Sequence, residues 1–428
     1  MHILAILRFD YTAINEVKLL VYLKNRHNLK ATVILIKPNN IIEKTLDDNS
    51  IKYEVHDVDK IKHKLINKLF FIFKLTDLYT RIIEKRIGID IILKHKPDII
   101  FTPVSSQVIS RSIIHFSKIL KIPSISIQRT AASHNFLYYE WQNTYNKRKK
   151  NHFIKKILII YKKIFYILLG LDFKEQKCLG DGDETKFLVF GNAYAEHFSM
   201  SRINSEKMIS VGHLEHQQLF EETQIVAKRA INQNINTQKK ILVNISGKFI
   251  IDKICPIENS EKFSKLQNKI LKSIIDNTDD TFKIILKAHP RENINYLIES
   301  VRQHPRVSID NNNFTELLLH ECDYLITDFS TLIFSAIALD KPYLTHNLLR
   351  VFSWDFPETI NAGPHIRYEY ELDNIIHDFL YNESNRLHYK NAREIARKRW
   401  LMFDGLIYER IAKIIKDLIY NNPLKYKV

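Results

Sequence analysis

The feature that most constrains this chain is a repeating alternation. Short, almost wholly apolar runs stop at polar residues, and stretches of helical spacing lie between them. HILAILRF (2–9), ATVILIK (31–37), PDIIFTP (97–103) and PSISIQ (123–128) are such runs, with helical patterns at 15–26 and 107–120. An apolar run of this length reads as a strand buried on both faces, and helical crossovers between such strands make the sheet parallel. KFLVFG (186–191) and MISVG (208–212) close the first series, and NQNINTQKK (232–240) has the polar composition of a hinge. A second series then begins: KILVNISG (240–247), FKIILKAH (282–289), VSID (307–310), DYLIT (323–327) and KPYLTH (341–346). A chain of 428 residues exceeds one ordinary core. The pattern therefore predicts an α/β protein of two Rossmann-like domains facing each other across a cleft, 1–230 and 231–385, followed by C-terminal helices over 386–428. Ligands of such sheets sit beyond the carboxyl ends of the strands.

Two of those ends carry unusual chemistry. LITDFSTLIFSAIALDKPYL (325–344) is apolar except where Asp328, Ser330 and Thr331 interrupt it, at a strand-to-helix turn. Taken alone, the turn reads as a helix cap, which satisfies amides lacking intrahelical partners. It also reads as an anion site, because the same amides and the positive end of the helix dipole face outward. The second end is LKAHPRE (286–292), where Pro290 stops central pairing and leaves Lys287, His289 and Arg291 at the sheet edge. If the strands are parallel, Ser246 and Gly247 share that edge.

These stretches together resemble a known family. Lys-Ala-His-Pro, then Thr-Asp-Phe-Ser-Thr (327–331) and Asp340-Lys341-Pro342, look like the donor-binding half of bacterial GT-B-fold capsule and teichoic-acid transferases, typified by the CDP-glycerol glycerophosphotransferases. VFGNAYAEHF (189–198) with SVGHLEHQQLF (210–220), and Phe403-Asp404-Gly405 with Glu409-Arg410-Ile411, resemble further family segments. The resemblance spans about 186–415. It implies an inverting, metal-independent transferase without a cofactor, acting on a CMP-, CDP- or UDP-activated donor. His289, Ser330 and Thr331 would hold the donor phosphate and Asp328 would orient the turn, with Lys287, Arg291, Ser246 and Gly247 completing the set. The acceptor would be a growing glycan or a lipid-linked molecule.

The first domain departs from the family. Relatives often show Gln-His-Gly or Trp-His-Gly after the strand, where this chain has Gln128-Arg129-Thr130. The expected catalytic base is therefore displaced: His134 and Asp10 are the candidates, and Arg129 is a candidate for an anionic acceptor or phosphate.

The formal charge of +16 calls for an anionic partner. The insertion NKRKKNHFIKKILIIYKKIFYILLGL (146–171) sets eight Lys/Arg between Lys147 and Lys163 beside an apolar face through Ile154, Ile157, Leu158, Tyr161, Ile164, Phe165 and Leu168. That pattern suits an anionic membrane surface, and equally a helix packed on the sheet with its basic end solvated. KIKHKLINKLFFIFKL (60–75) is a weaker relative with an expected packing role. No RNP-like motif or recognition helix supports nucleic acid as the partner. Three dispersed cysteines, Cys178, Cys255 and Cys322, and no signal-peptide pattern fit a cytoplasmic protein, peripheral on the inner face of the membrane. A UDP-sugar 2-epimerase shares the expected fold, and a non-catalytic scaffold of a polysaccharide-synthesis complex is the other alternative.

Overall fold

The computed structural model describes residues 1–7, 13–57, 76–103, 108–128, 163–164, 166–171, 180–200, 203–230, 238–245, 260–288, 297, 299–310, 315–328, 330–348 and 356–421. They form two units, the first within residues 1–215 and 406–421 and the second within 216–405.

The first unit is built on seven strands: β1 (His2–Leu7), β2 (Lys30–Leu35), β3 (Lys52–Val55), β4 (Ile99–Thr102), β5 (Ser124–Ile127), β6 (Lys186–Val189) and β7 (Met208–Ser210). Their order is β3-β2-β1-β4-β5-β6-β7, with every pair parallel. Successive side chains of a strand point to opposite faces, and β1 shows it directly. Ile3, Ala5 and Leu7 join a core with the helices Ala13–His27 and Ile407–Tyr420, whereas Leu4 and Ile6 join another with Ile91, Ile92, Ile109 and Ile113. The helices Thr76–His95 and Val108–Ile119 approach closely at Gly88, where a Cβ would lie 2.6 Å from the Ser112 hydroxyl. Arg111 closes that contact with a two-point ion pair to buried Glu84, at 2.7 Å for each hydrogen bond.

The C-terminal helix Ile407–Tyr420 returns to this first unit. Ile407, Ile411, Ile415 and Ile419 recur every fourth residue and bury in its core, each such side chain contributing about 1.5–3 kcal/mol. Arg410 donates from Nε to the Val211 carbonyl at 2.9 Å. The expected block 386–428 is thus divided, with the helix Glu383–Ala396 in the second unit and Ile407–Tyr420 in the first. The boundary also falls at 215/216 rather than 230/231, inside the helix Leu214–Ala230.

The second sheet has six strands: β8 (Lys239–Ile245), β9 (Phe282–Ala288), β10 (Val307–Ile309), β11 (Tyr324–Thr327), β12 (Tyr343–His346) and β13 (His365–Ile366). The order is β10-β9-β8-β11-β12-β13, again all parallel. Phe263, Leu266, Ile270 and Ile274 of the helix Ser260–Asp276 and Ile376 and Leu380 of Leu372–Tyr381 cover one face. Each sheet reverses direction of strand order once, at β1/β4 and at β8/β11. Such switch points open the crevice in which nucleotides bind in doubly wound sheets.

Candidate functional site

At the carboxyl end of the second sheet the register brings five polar residues into one row. Lys287 on β9 lies opposite Asn244 on β8, which lies opposite Thr327 on β11; Thr327 faces Thr345 on β12, and Thr345 faces His365 on β13. Polar groups at buried positions need partners, and the row supplies them. Asn244 Nδ2 donates to Thr327 Oγ1 at 3.1 Å, and Thr345 Oγ1 and His365 Nδ1 are 2.8 Å apart. The Glu358 carboxylate stands 3.2 Å from His365 Nε2 and 3.2 Å from Arg367. Burial lowers the pKa of His365 and pushes that of neighbouring His346 down to about 3, so His346 is a neutral ring at physiological pH.

The turn after β11 begins with Asp328, which is fully buried. Gln267 reaches it from the helix Ser260–Asp276, its Nε2 donating to Asp328 Oδ2 at 3.2 Å. The buried carboxylate is thereby tied to the helix that covers this face of the sheet. The Ser330 hydroxyl accepts the Leu332 amide at 3.2 Å, and the Asp328 carbonyl accepts the Ser330 amide at 2.9 Å. Thr331 is exposed and makes no side-chain capping bond at the start of the seven-residue helix Leu332–Ala338. The cap and the outward-facing position thus fall to different residues: Ser330 closes the turn and Thr331 presents a hydroxyl.

Lys287 is not a free cation at the edge. It is 5% exposed, and its ammonium is 3.8 Å from the Asp310 carboxylate just beyond β10. His289, Arg291, Ser246 and Gly247 lie outside the described residues, as do Asp10, Arg129 and His134 of the first domain. The strands preceding the first four are described. β8 lies between β9 and β11, so three consecutive strands of the sheet end at Ile245, Ala288 and Thr327. In the first unit, buried Gln128 after β5 accepts the Phe190 amide at 3.1 Å through its side-chain oxygen and ties two strand ends together. Among the described residues, no three His, Cys, Asp or Glu side chains gather as metal ligands would.

Gln267 and Asn244 were not among the residues expected from the sequence. Their signals are nonetheless present: Gln267 is a polar residue on the apolar stripe of its helix, and Asn244 interrupts the apolar run of β8.

Over residues 256–416 the chain matches the family model for CDP-Glycerol:Poly(glycerophosphate) glycerophosphotransferase. The resemblance drawn from the sequence is borne out over that stretch. No curated protein matches the chain. Among solved structures, UDP-GlcNAc 2-epimerase from Neisseria meningitidis, bound to UDP-GlcNAc, superposes with a TM-score of 0.58 at 15% identity, covering 97% of this chain and 100% of that one. The glycotransferase of kitacinnamycin gives 0.59 at 11% identity over 98% and 99%. A glycosyltransferase from Rickettsia africae gives 0.54 at 14% identity over 98% and 99%. Two parallel-sheet α/β domains of GT-B type are thereby established as the fold. Epimerases and transferases share it, so the fold alone does not choose between them.

Other motifs in and beside the stretch that the family model matches are structural. In the Asp-Lys-Pro turn, Asp340 adopts a left-handed backbone (φ 53°) and holds buried Arg393 through Oδ1 and Nε at 3.0 Å. Lys341 donates to the carbonyls of His320 and Cys322 at 3.1 and 2.7 Å, closing the end of the helix Thr315–Glu321. Gly405 has φ 75°, and a Cβ there would meet the Phe220 ring at 2.5 Å. Phe403 packs edge-on against the same ring, with centroids 5.4 Å apart. These motifs build the frame of the second unit.

Proposed function

We propose that the protein is a transferase that moves a sugar or polyol-phosphate unit from a CMP-, CDP- or UDP-activated donor to a hydroxyl of a glycan or lipid-linked acceptor, in the synthesis of a bacterial capsule, lipopolysaccharide or teichoic-type polymer. The observation that carries this reading is the family match over 256–416, the stretch that holds the ends of β9 and β11. The donor phosphates would sit at the β8/β11 switch point, with His289 and the Ser330–Thr331 turn stabilising the charge of the leaving phosphate. Asp328 and Gln267 hold that turn. Arg291, Ser246 and Gly247 would complete the phosphate and nucleotide contacts, and Lys287 sets the charge beside them through its pair with Asp310. The acceptor oxygen attacks the anomeric carbon or the β-phosphorus, the bond to the nucleotide phosphate breaks, and a base takes the hydroxyl proton. His134 and Asp10 are the candidates for that base, with Arg129 on the acceptor's anion. The reading is of an inverting reaction that needs no metal.

A donor panel tests it. With CMP-, CDP- and UDP-linked donors, one nucleotide class is expected to raise the unfolding temperature and to be consumed only when acceptor is supplied. Consumption of UDP-GlcNAc without acceptor, giving its 2-epimer, would instead place the protein with the epimerases. Stabilisation by no donor in the panel would support a scaffold.

We place the protein on the inner face of the cytoplasmic membrane. The support comes from the end of the basic insertion. Ile164, Ile167 and Leu168 are 50%, 54% and 78% exposed beside Lys163, whereas Tyr166 and Leu171 are buried. Arg81 donates to the Leu171 carbonyl at 3.0 Å and lies over the Tyr166 ring, and Lys85 donates to the Leu169 carbonyl at 2.8 Å. The apolar side chains are thus held outward from a fixed base. Among the described residues no helix is long and apolar enough to cross a membrane. Replacing Ile164, Ile167 and Leu168 together by Asp is expected to lower partition onto phosphatidylglycerol vesicles at least about tenfold. Unchanged partition in a sedimentation assay would make this face a packing surface.

A further inference from the structure

The second unit contains a cavity of about 470 Å³ that the donor reading does not use. Among the described residues, its lining includes none of Lys287, Asp328, Ser330 or Thr331, and of the polar row it includes only the outermost member, His365. It lies between the first residues of β12 and β13 and the helices Leu372–Tyr381 and Glu383–Ala396. Helical periodicity puts Arg386, Tyr389 and Arg393, at i, i+3 and i+7, on one face of the second helix, and all three line the cavity.

The two guanidinium groups are incompletely used. Arg386 donates from one terminal nitrogen to the Tyr324 hydroxyl at 3.2 Å and the Leu380 carbonyl at 2.9 Å. Both acceptors are neutral, and no described carboxylate lies within ion-pair distance of Arg386. Arg393 is 3% exposed and engages Asp340 through Nε alone, at 3.0 Å, which leaves its terminal nitrogens for the cavity. The acidic residue in the lining, Asp378, is already occupied by the side-chain amides of Asn382 and Asn385. Ile375 and Phe379 supply an apolar wall.

A planar guanidinium with free donors matches an oxyanion in two-point geometry. Small-molecule sites combine an apolar wall with a few converging polar groups in cavities of roughly 300–1,000 Å³. We propose that this cavity is a second ligand site for a small phosphate monoester, with the phosphate on Arg386 and Arg393 and an apolar or planar body against Tyr389, Ile375 and Phe379. The site is separate from the proposed donor edge and does not rest on that reading.

Phenyl phosphate is the probe, with phenol and inorganic phosphate as its halves, measured by calorimetry on the full chain. The whole probe is expected to bind at least tenfold more tightly than either half. Arg386→Gln should weaken it at least tenfold, and Asn374→Trp, which fills the cavity from an exposed lining position, should abolish it. His289→Ala should leave it unchanged. Binding of phenyl phosphate no tighter than inorganic phosphate would overturn the proposal. So would binding that survives Asn374→Trp, or that is lost in His289→Ala and kept in Arg386→Gln; the last result would assign the probe to the donor edge.

Discussion

Replacing His289 by alanine is expected to reduce transfer from the accepted nucleotide donor by about 10²–10³-fold, the usual loss when one preorganised donor to a developing oxyanion is removed. β9 ends at Ala288 beside β8, and β8 pairs on its other side with β11, so the strand that His289 follows in sequence is two strands from the one that Asp328 follows. Pro290, next in the sequence, has no amide to give to a sheet ladder. An effect on the leaving phosphate should appear in kcat, with the unfolding midpoint unchanged. Ser330→Ala makes the contrast. It removes the acceptor of the Leu332 amide, so it should cost about 1 kcal/mol of stability as well as activity. Full activity in His289→Ala would remove this residue from the mechanism. Equal losses of activity and stability would recast it as structural.

Breaking the Asp340–Arg393 pair is expected to be among the most destabilising single changes outside the apolar cores. Arg393 is buried, and removing its partner leaves a guanidinium charge uncompensated. Asp340 is one-third exposed, so screening reduces the cost to about 2–3 kcal/mol, below the full value for a buried pair. The backbone separates two contributions. Asp340 has φ 53°, a conformation that Asn tolerates and Ala resists. Asp340→Asn should lose the ion pair alone, and Asp340→Ala should lose about 1 kcal/mol more. Urea unfolding of the two variants reads both. An Asp340→Asn cost below about 0.5 kcal/mol, the range of ordinary surface substitutions, would show that the pair contributes nothing, and a smaller loss in Ala than in Asn would refute the backbone argument.

Most of the architecture was legible because burial on both sheet faces writes itself as apolar runs. β1, β2, β4 and β5 are buried along nearly their whole length, and each corresponds to such a run. β3 is the instructive failure. KYEV has no buried residue, because it is an edge strand from which only Tyr53 packs against the core, and so it carries no apolar run. β13 is two residues long, too short for any periodicity. The helix Ile407–Tyr420 was visible as a helix but not as a member of the first unit. Periodicity reveals that a face is apolar, not which core receives it.

The site divides in the same way. Composition and order along the chain were enough to find polar residues where apolar runs stop, and the motif spacing was enough to suggest a donor-binding half. Whether Asp328 faces a ligand or the interior depends on Gln267, 61 residues earlier, and whether Lys287 is free depends on Asp310 across a neighbouring strand. The alignment of Lys287, Asn244, Thr327, Thr345 and His365 is a property of strand register. Register is set by the packing of whole sheets and helices, so local sequence determined which residues were polar at the strand ends. Only the tertiary structure decided which of them are partners and which face outward.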